Sequence, residues 1–80
     1  PVLHPEHGIM HMESLLVPAK QKMMEAAEET IVVADSSKIG KLALHQVAPL
    51  SAISTIITGK EASAEYLNPM VEAGKTIYQV

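Results

Sequence analysis

Hydrophobic and polar positions follow different periods along the chain. From Glu13 the spacing is helical: Leu16, Ala19, Met23, Ala27 and Thr30 recur every three or four residues, with Lys20, Lys22, Glu25 and Glu28 largely on the other side. Pro18 cannot donate an interior hydrogen bond, so the regular helix is expected to start there and end near Glu28 or Glu29, after a short turn over 13–17. Ile31-Val32-Val33-Ala34 is too short for a helix and rich in β-branched residues, and reads as a strand buried on both faces. Ile53-Ser54-Thr55-Ile56-Ile57-Thr58 reads as a second strand, ended by Gly59. Residues 62–73 form a second amphipathic helix with Ala64, Leu67, Met70 and Val71 as its stripe, Ser63 as N-cap and Gly74 at C′. Pro69 predicts a kink or a late start in that helix. Residues 76–80 alternate as a last strand, while Leu42 to Val47 suits a strand or a helix equally until Pro49 stops it. Residues 1–12, with Pro1, Pro5, Gly8 and three histidines, read as an irregular lead-in. The order of elements predicts an α/β fold: a small, mainly parallel sheet flanked by helices.

Composition narrows the picture. Eighty residues make one domain or part of one, and a chain of that size buries only about 60% of its unfolded surface. There is no cysteine, which removes disulfides and Cys-based zinc sites as staples and agrees with a cytoplasmic location. Phe and Trp are also absent, so the core must come from Ile, Val, Leu, Ala and Met, and some apolar surface is expected to face a partner, as in a homo-oligomer, or sequence missing from this chain. The net charge of −3, scattered lysines and two tyrosines offer neither a basic stripe nor stacking platforms, so this chain is not expected to touch nucleic acid itself. No apolar run approaches the ~20 residues that span a bilayer, and the N-terminus lacks a signal-peptide pattern. It begins without an initiator Met, as an excised fragment would.

The densest chemistry is Asp35-Ser36-Ser37-Lys38, at the carboxyl end of the first predicted strand, where ligands bind in open α/β sheets. An ammonium, hydroxyls and backbone N–H groups together hold a phosphate or a sugar carboxylate, while Asp35 can accept from a sugar hydroxyl or orient Lys38. The same residues suit a plain Asp/Ser-capped turn. Thr58-Gly59-Lys60 ends the next strand, and glycine there permits close approach of a ligand, although an ordinary strand-to-helix loop explains it too. If the two strands are parallel, both polar ends share one rim. His4, Glu6, His7, His11 and Glu13 are metal-ligating types, but their spacing matches no zinc pattern and no helix aligns them, so no metal is expected. Ser36 and Ser37 lack the flanking glycines of a nucleophile elbow, and no Walker loop or dinucleotide fingerprint is present, so no cofactor is expected.

Ile31 to Gly40, then Val47-Ala48-Pro49-Leu50, then Ile56-Ile57-Thr58 resembles the C-terminal effector-sensing domain of DeoR-type bacterial transcriptional regulators. The helix carrying Lys20, Lys22 and Met23 and the upstream Gly8 extend the likeness over roughly Gly8 to Val80. The resemblance implies a fold related to ribose-5-phosphate isomerase and the CoA-transferase group. It also implies a phosphorylated sugar or sugar-acid effector that modulates DNA binding by a separate winged helix-turn-helix domain outside this chain. In that reading the chain is no enzyme; Lys38 holds the effector, Asp35 and Ser37 organise its turn, and Ser36, Thr58, Gly59 and Lys60 join them in one wall of a pocket whose other wall is expected to lie outside this chain. Met10, Ser54 and Gly59 depart from the common pattern, standing where a small hydroxyl residue and two acids are usual. The Ile-Thr-Gly-Lys variant is similar to the family's ascorbate-utilisation repressors, which points to a sugar-acid phosphate. Two alternatives are a sugar-phosphate isomerase-like fragment and a dimerisation module built on the Ala- and Met-rich helices.

Overall fold

Alternating and β-branched segments become strands wherever a second segment can pair with them. The computed structural model describes residues 1–80. In chain order it contains β1 (Val2–His4), β2 (Gly8–His11), α1 (Val17–Ala26), β3 (Ile31–Val33), β4 (His45–Ala48), β5 (Thr55–Thr58), α2 (Ala64–Glu72) and β6 (Thr76–Gln79). Single 3-10 turns occupy Ser14–Leu16, Ser36–Lys38 and Leu50–Ala52.

The fold is α/β, as expected, but the strands form two small sheets rather than one. Strands β3, β5 and β6 make a parallel sheet with β5 central, in which Val32 pairs with Ile56 and Ile56 with Ile77. Strands β1, β2 and β4 make an antiparallel sheet with β2 central and an irregularity between Ile9 and Met10. Residues 1–12 are therefore no irregular lead-in: β1 and β2 form a hairpin whose outer partner, β4, lies more than thirty residues on. A three-residue strand with one buried side chain, Leu3, shows too little alternation to be read locally. The segment left open between strand and helix resolves as β4, with the turn before it irregular.

One cluster of eleven buried apolar residues unites both sheets and α2: Leu3, Ile9, Val47 and Ala48 from one sheet, Val32 and Ile56 from the other, and Leu67 and Met70 from α2, with Ile39, Ile53 and Ala62 from the loops. Helix α2 starts two residues later than expected, with Ser63 Oγ accepting the Glu65 N–H at 3.2 Å, and it carries Pro69 inside it. Its stripe is narrower than the pattern implied, because Val71 points outward. Helix α1 ends at Ala26, short of Glu28, and has no fully buried residue. Its docking line is Val17, Lys20, Gln21 and Met24 rather than Leu16, Ala19 and Met23. Two of those four are polar, which hid the line from a hydrophobic reading; Gln21 Nε2 donates to Val47 O at 2.9 Å.

Strand β3 is buried on one face only. Ile31 and Val33 are 51% and 72% exposed, because β3 is an edge strand and α1 docks on β4, leaving a cleft of about 270 Å³ beside Met23, Ile31 and Val33. Strand β5 begins at Thr55, since Leu50–Ala52 turn and Ile53 enters the core outside any ladder. Neither helix is long and apolar enough to cross a membrane.

Candidate functional site

Parallel pairing of β3 with β5 brings their carboxyl ends together, as the shared-rim reading requires. The ladder continues past β3, Ala34 N donating to Ile57 O at 3.0 Å, and the chain then turns. Asp35 caps this turn: its Oδ1 accepts the Ser37 N–H at 3.0 Å and also the Ser37 hydroxyl. The hydrogen bond from the Ser37 side chain, aided by the nearby Lys38 charge, holds the Asp35 carboxyl below its ordinary range against a smaller opposing effect of burial. Lys38 Nζ lies 3.9 Å from Asp35 Oδ2 and 3.5 Å from Ser37 Oγ, with both charged side chains largely in water. An exposed pair of that length contributes little to stability and leaves Lys38 free to swing toward a ligand.

The turn is held from both sides. Ile39 is buried and bridges Leu3 in parallel, and Gly40 N donates to Leu3 O at 2.7 Å. On the other side Gly59 packs against Ser36 so closely that a Cβ at position 59 would run into Ser36 Oγ. That contact joins the two predicted polar ends directly. The close atom is the Ser36 hydroxyl alone, which can rotate away, and Gly59 has no unusual backbone angle, so glycine eases the approach without being obligatory.

Thr58 is 2% exposed and its Oγ1 has no hydrogen-bond partner, the one buried side-chain oxygen or nitrogen in this state. The backbone N–H groups of Ser36, Gly59 and Lys60 likewise donate to nothing within the chain. Unpaired backbone donors and two lysines at one sheet edge are suited to a hydroxylated anion, while the Thr58 hydroxyl beside them is closed off from solvent. Gln79 was missed in the sequence reading; its Nε2 donates to Gly59 O at 3.2 Å and Lys60 O at 3.4 Å, fixing the second turn. The signal was available, because a parallel last strand must end on the same rim and Gln79 pairs with Thr58.

The rim is open. The largest cleft, about 430 Å³, lies elsewhere, between Gln21 and Met24 of α1 and Val47, Ala48 and Ala52. Lys38 also borders a cleft of about 180 Å³ with Val2, Met10, His11 and Met12. Away from the rim, the β1–β2 turn brings His4, Glu6 and His7 together, whereas His11 and Glu13 stand outside that group.

The chain matches the DeoR C terminal sensor domain family over residues 2–60. Among curated proteins it is similar to the HTH-type transcriptional regulator UlaR of Escherichia coli O1:K1 / APEC, with 34% identity over 73 residues, 91% of this chain and 29% of that protein. The UlaR proteins of Escherichia coli (strain K12 / DH10B) and Shigella boydii serotype 18 match to the same extent. The chain thus spans about 29% of the length of these curated relatives. No solved structure matches.

Proposed function

The chain belongs to the DeoR C-terminal sensor domain family, and from that premise we propose that it is the carboxyl-terminal part of the sensing domain of a cytoplasmic transcriptional regulator, a repressor that binds a phosphorylated sugar or sugar acid. The observation that carries this reading is the Gly59–Ser36 contact, which merges two polar strand ends into one rim. Lys38 and Lys60 supply positive charge to the anionic group. The free N–H groups of Ser36, Gly59 and Lys60 bind its oxygens, and Thr58 Oγ1, closed off from solvent in this state, becomes a hydroxyl partner when the rim shifts around the ligand. Asp35 and Ser37 hold the turn in shape. In this reading the fold is related to the ribose-5-phosphate isomerase and CoA-transferase group, and DNA is contacted through a separate helix-turn-helix domain.

An isomerase would need a carboxylate base free to reach substrate carbon. Asp35 is engaged in capping its own turn, which supports a binding module over an enzyme. Exposed Met23, Ile31 and Val33 support association with a second copy.

The test is a panel of sugar phosphates and sugar-acid phosphates, followed by backbone amide shifts. Binding should move the amides of Ser36, Gly59 and Lys60 first. In a regulator carrying this chain, Lys38→Ala should weaken the effector response at least tenfold. A panel that moves none of these amides, together with an unaltered response in Lys38→Ala, refutes the assignment.

A further inference from the structure

The β1–β2 hairpin does something that its sequence spacing does not announce. Its turn, His4-Pro5-Glu6-His7, sets one ring nitrogen of each histidine and one Glu6 carboxylate oxygen within 4.8 Å of one another. The frame behind these groups is rigid. Leu3 is buried, His4 pairs with Gly8 across the hairpin, and His7 N donates to His4 O at 3.3 Å to close the turn. The two imidazole centroids are 5.1 Å apart, and the Tyr66 ring stands 5.7 Å from that of His4. The outer ends remain free to move, since Glu6 and His7 are exposed and His4 is half-buried.

Two imidazoles and a carboxylate form a donor set for a divalent first-row transition ion. Bonds of about 2.0–2.2 Å place ligand atoms roughly 3.2–3.6 Å apart, so the three side chains need to close by about 1 Å. Exposed side chains on a fixed turn can make that movement by rotation alone. We propose that this turn binds Zn2+, or a similar transition ion such as Co2+ or Ni2+, through His4, Glu6 and His7, with water completing the coordination. Mg2+ and Ca2+, which require oxygen ligands, are not accommodated.

Loading has a local cost. His4 Nδ1 accepts the Glu6 N–H at 3.1 Å, which places the ring proton on Nε2. The ion must either take the Nδ1 lone pair from that bond or bind after a tautomer switch, so the affinity is moderate rather than that of a structural zinc site. Its position gives it reach: the Tyr66 ring that borders His4 also packs over Gly40, at the end of the Asp35–Lys38 turn. The site stands independently of the effector assignment.

The test is titration of the 80-residue chain with Zn2+, with Co2+ as a spectroscopic substitute, in the presence of excess Mg2+. One equivalent should saturate with a Kd below about 0.1 mM, giving Co2+ d–d bands and a higher Tm. His4→Gln and His7→Gln should each weaken binding at least tenfold, and His7→Gln, at an exposed position, should leave the metal-free Tm unchanged. The double variant His11→Gln/His45→Gln removes the cross-strand histidine pair and should bind as the parent does. Weaker binding than that limit, indifference to His4→Gln and His7→Gln, or loss in the His11/His45 variant overturns the proposal.

Discussion

Replacing Thr58 by valine should make the protein more stable. Thr58 is 2% exposed, ends β5 paired with Gln79 of β6, and its hydroxyl has no partner. Valine keeps the β-branched shape and strand preference while removing the unpaired oxygen. A buried hydroxyl left without a hydrogen bond costs about 1–3 kcal/mol. The lower end of that range is the safer expectation, because a side chain at a strand end can adjust slightly. For a domain of this size each kcal/mol moves Tm by roughly 4–8 °C, so Thr58→Val should melt about 5 °C above the parent by far-UV circular dichroism. Thr58→Ala separates the two contributions: it removes the hydroxyl and a packed methyl together and should melt below Thr58→Val. The effector reading adds an opposite sign for function, namely weaker ligand binding by the more stable variant. A Tm for Thr58→Val at or below that of the parent would refute the reasoning, since it would show that the hydroxyl is satisfied in solution.

Other perturbations follow from the same geometry. Met70 is 0% exposed while Val71 beside it is 53% exposed, so Met70→Ala should cost about 2–5 kcal/mol and Val71→Ala within about 0.5 kcal/mol in urea unfolding; equal costs would contradict the assigned face of α2. Gly59→Ala meets only the Ser36 hydroxyl, which can turn away, so it should cost at most about 1 kcal/mol, and Ser36→Ala should remove that cost; a loss of about 2 kcal/mol or more would show that the Ser36 side chain is locked in place. The Asp35 carboxyl is held below its ordinary 3.8 by the Ser37 hydrogen bond, so its contribution is complete above that pH and is lost as pH falls through its lower folded-state value. An NMR titration of the Asp35 side chain should give a midpoint below 3.8 that rises in Ser37→Ala.

Much of the candidate site's layout was legible because its residues are consecutive. Asp35 to Lys38 and Thr58 to Lys60 each follow a recognisable strand, and parallel strands must present their carboxyl ends on one side. The Gly59–Ser36 contact itself was not legible, because a contact between loops depends on the distance of closest approach rather than on residue type. The parallel half of the fold was readable for the same reason: its strands are flanked by helices and punctuated by Gly and Pro. The antiparallel half was not. β1 holds three residues and β4 starts among leucines that turn out to be exposed, Leu42 at 59% and Leu44 at 74%. Apolar character at those positions signalled a segment without saying which face, if any, it buries. Helix α1 failed in the opposite sense, since part of its docking line is polar and therefore invisible to a search for apolar stripes. The proximity of His4, Glu6 and His7 was not legible, since their spacing matches no zinc pattern and no helix aligns them, and it is the hairpin turn that brings them within 4.8 Å.

The strands of the two sheets alternate along the chain: β3 belongs to one sheet, β4 to the other, and β5 to the first again. Neither sheet can therefore be assembled from one uninterrupted stretch of polypeptide. Closing β3 onto β5 loops out the strand that the other sheet still needs, and pairing β4 with β2 draws β3 along with it. The two halves are kinetically entangled, with non-local pairings that slow folding relative to a helical domain of equal length. A cut in the connection before or after β4 would remove a covalent tie on which both sheets draw. The protein should thus unfold in a single cooperative step, with no half that survives the loss of the other.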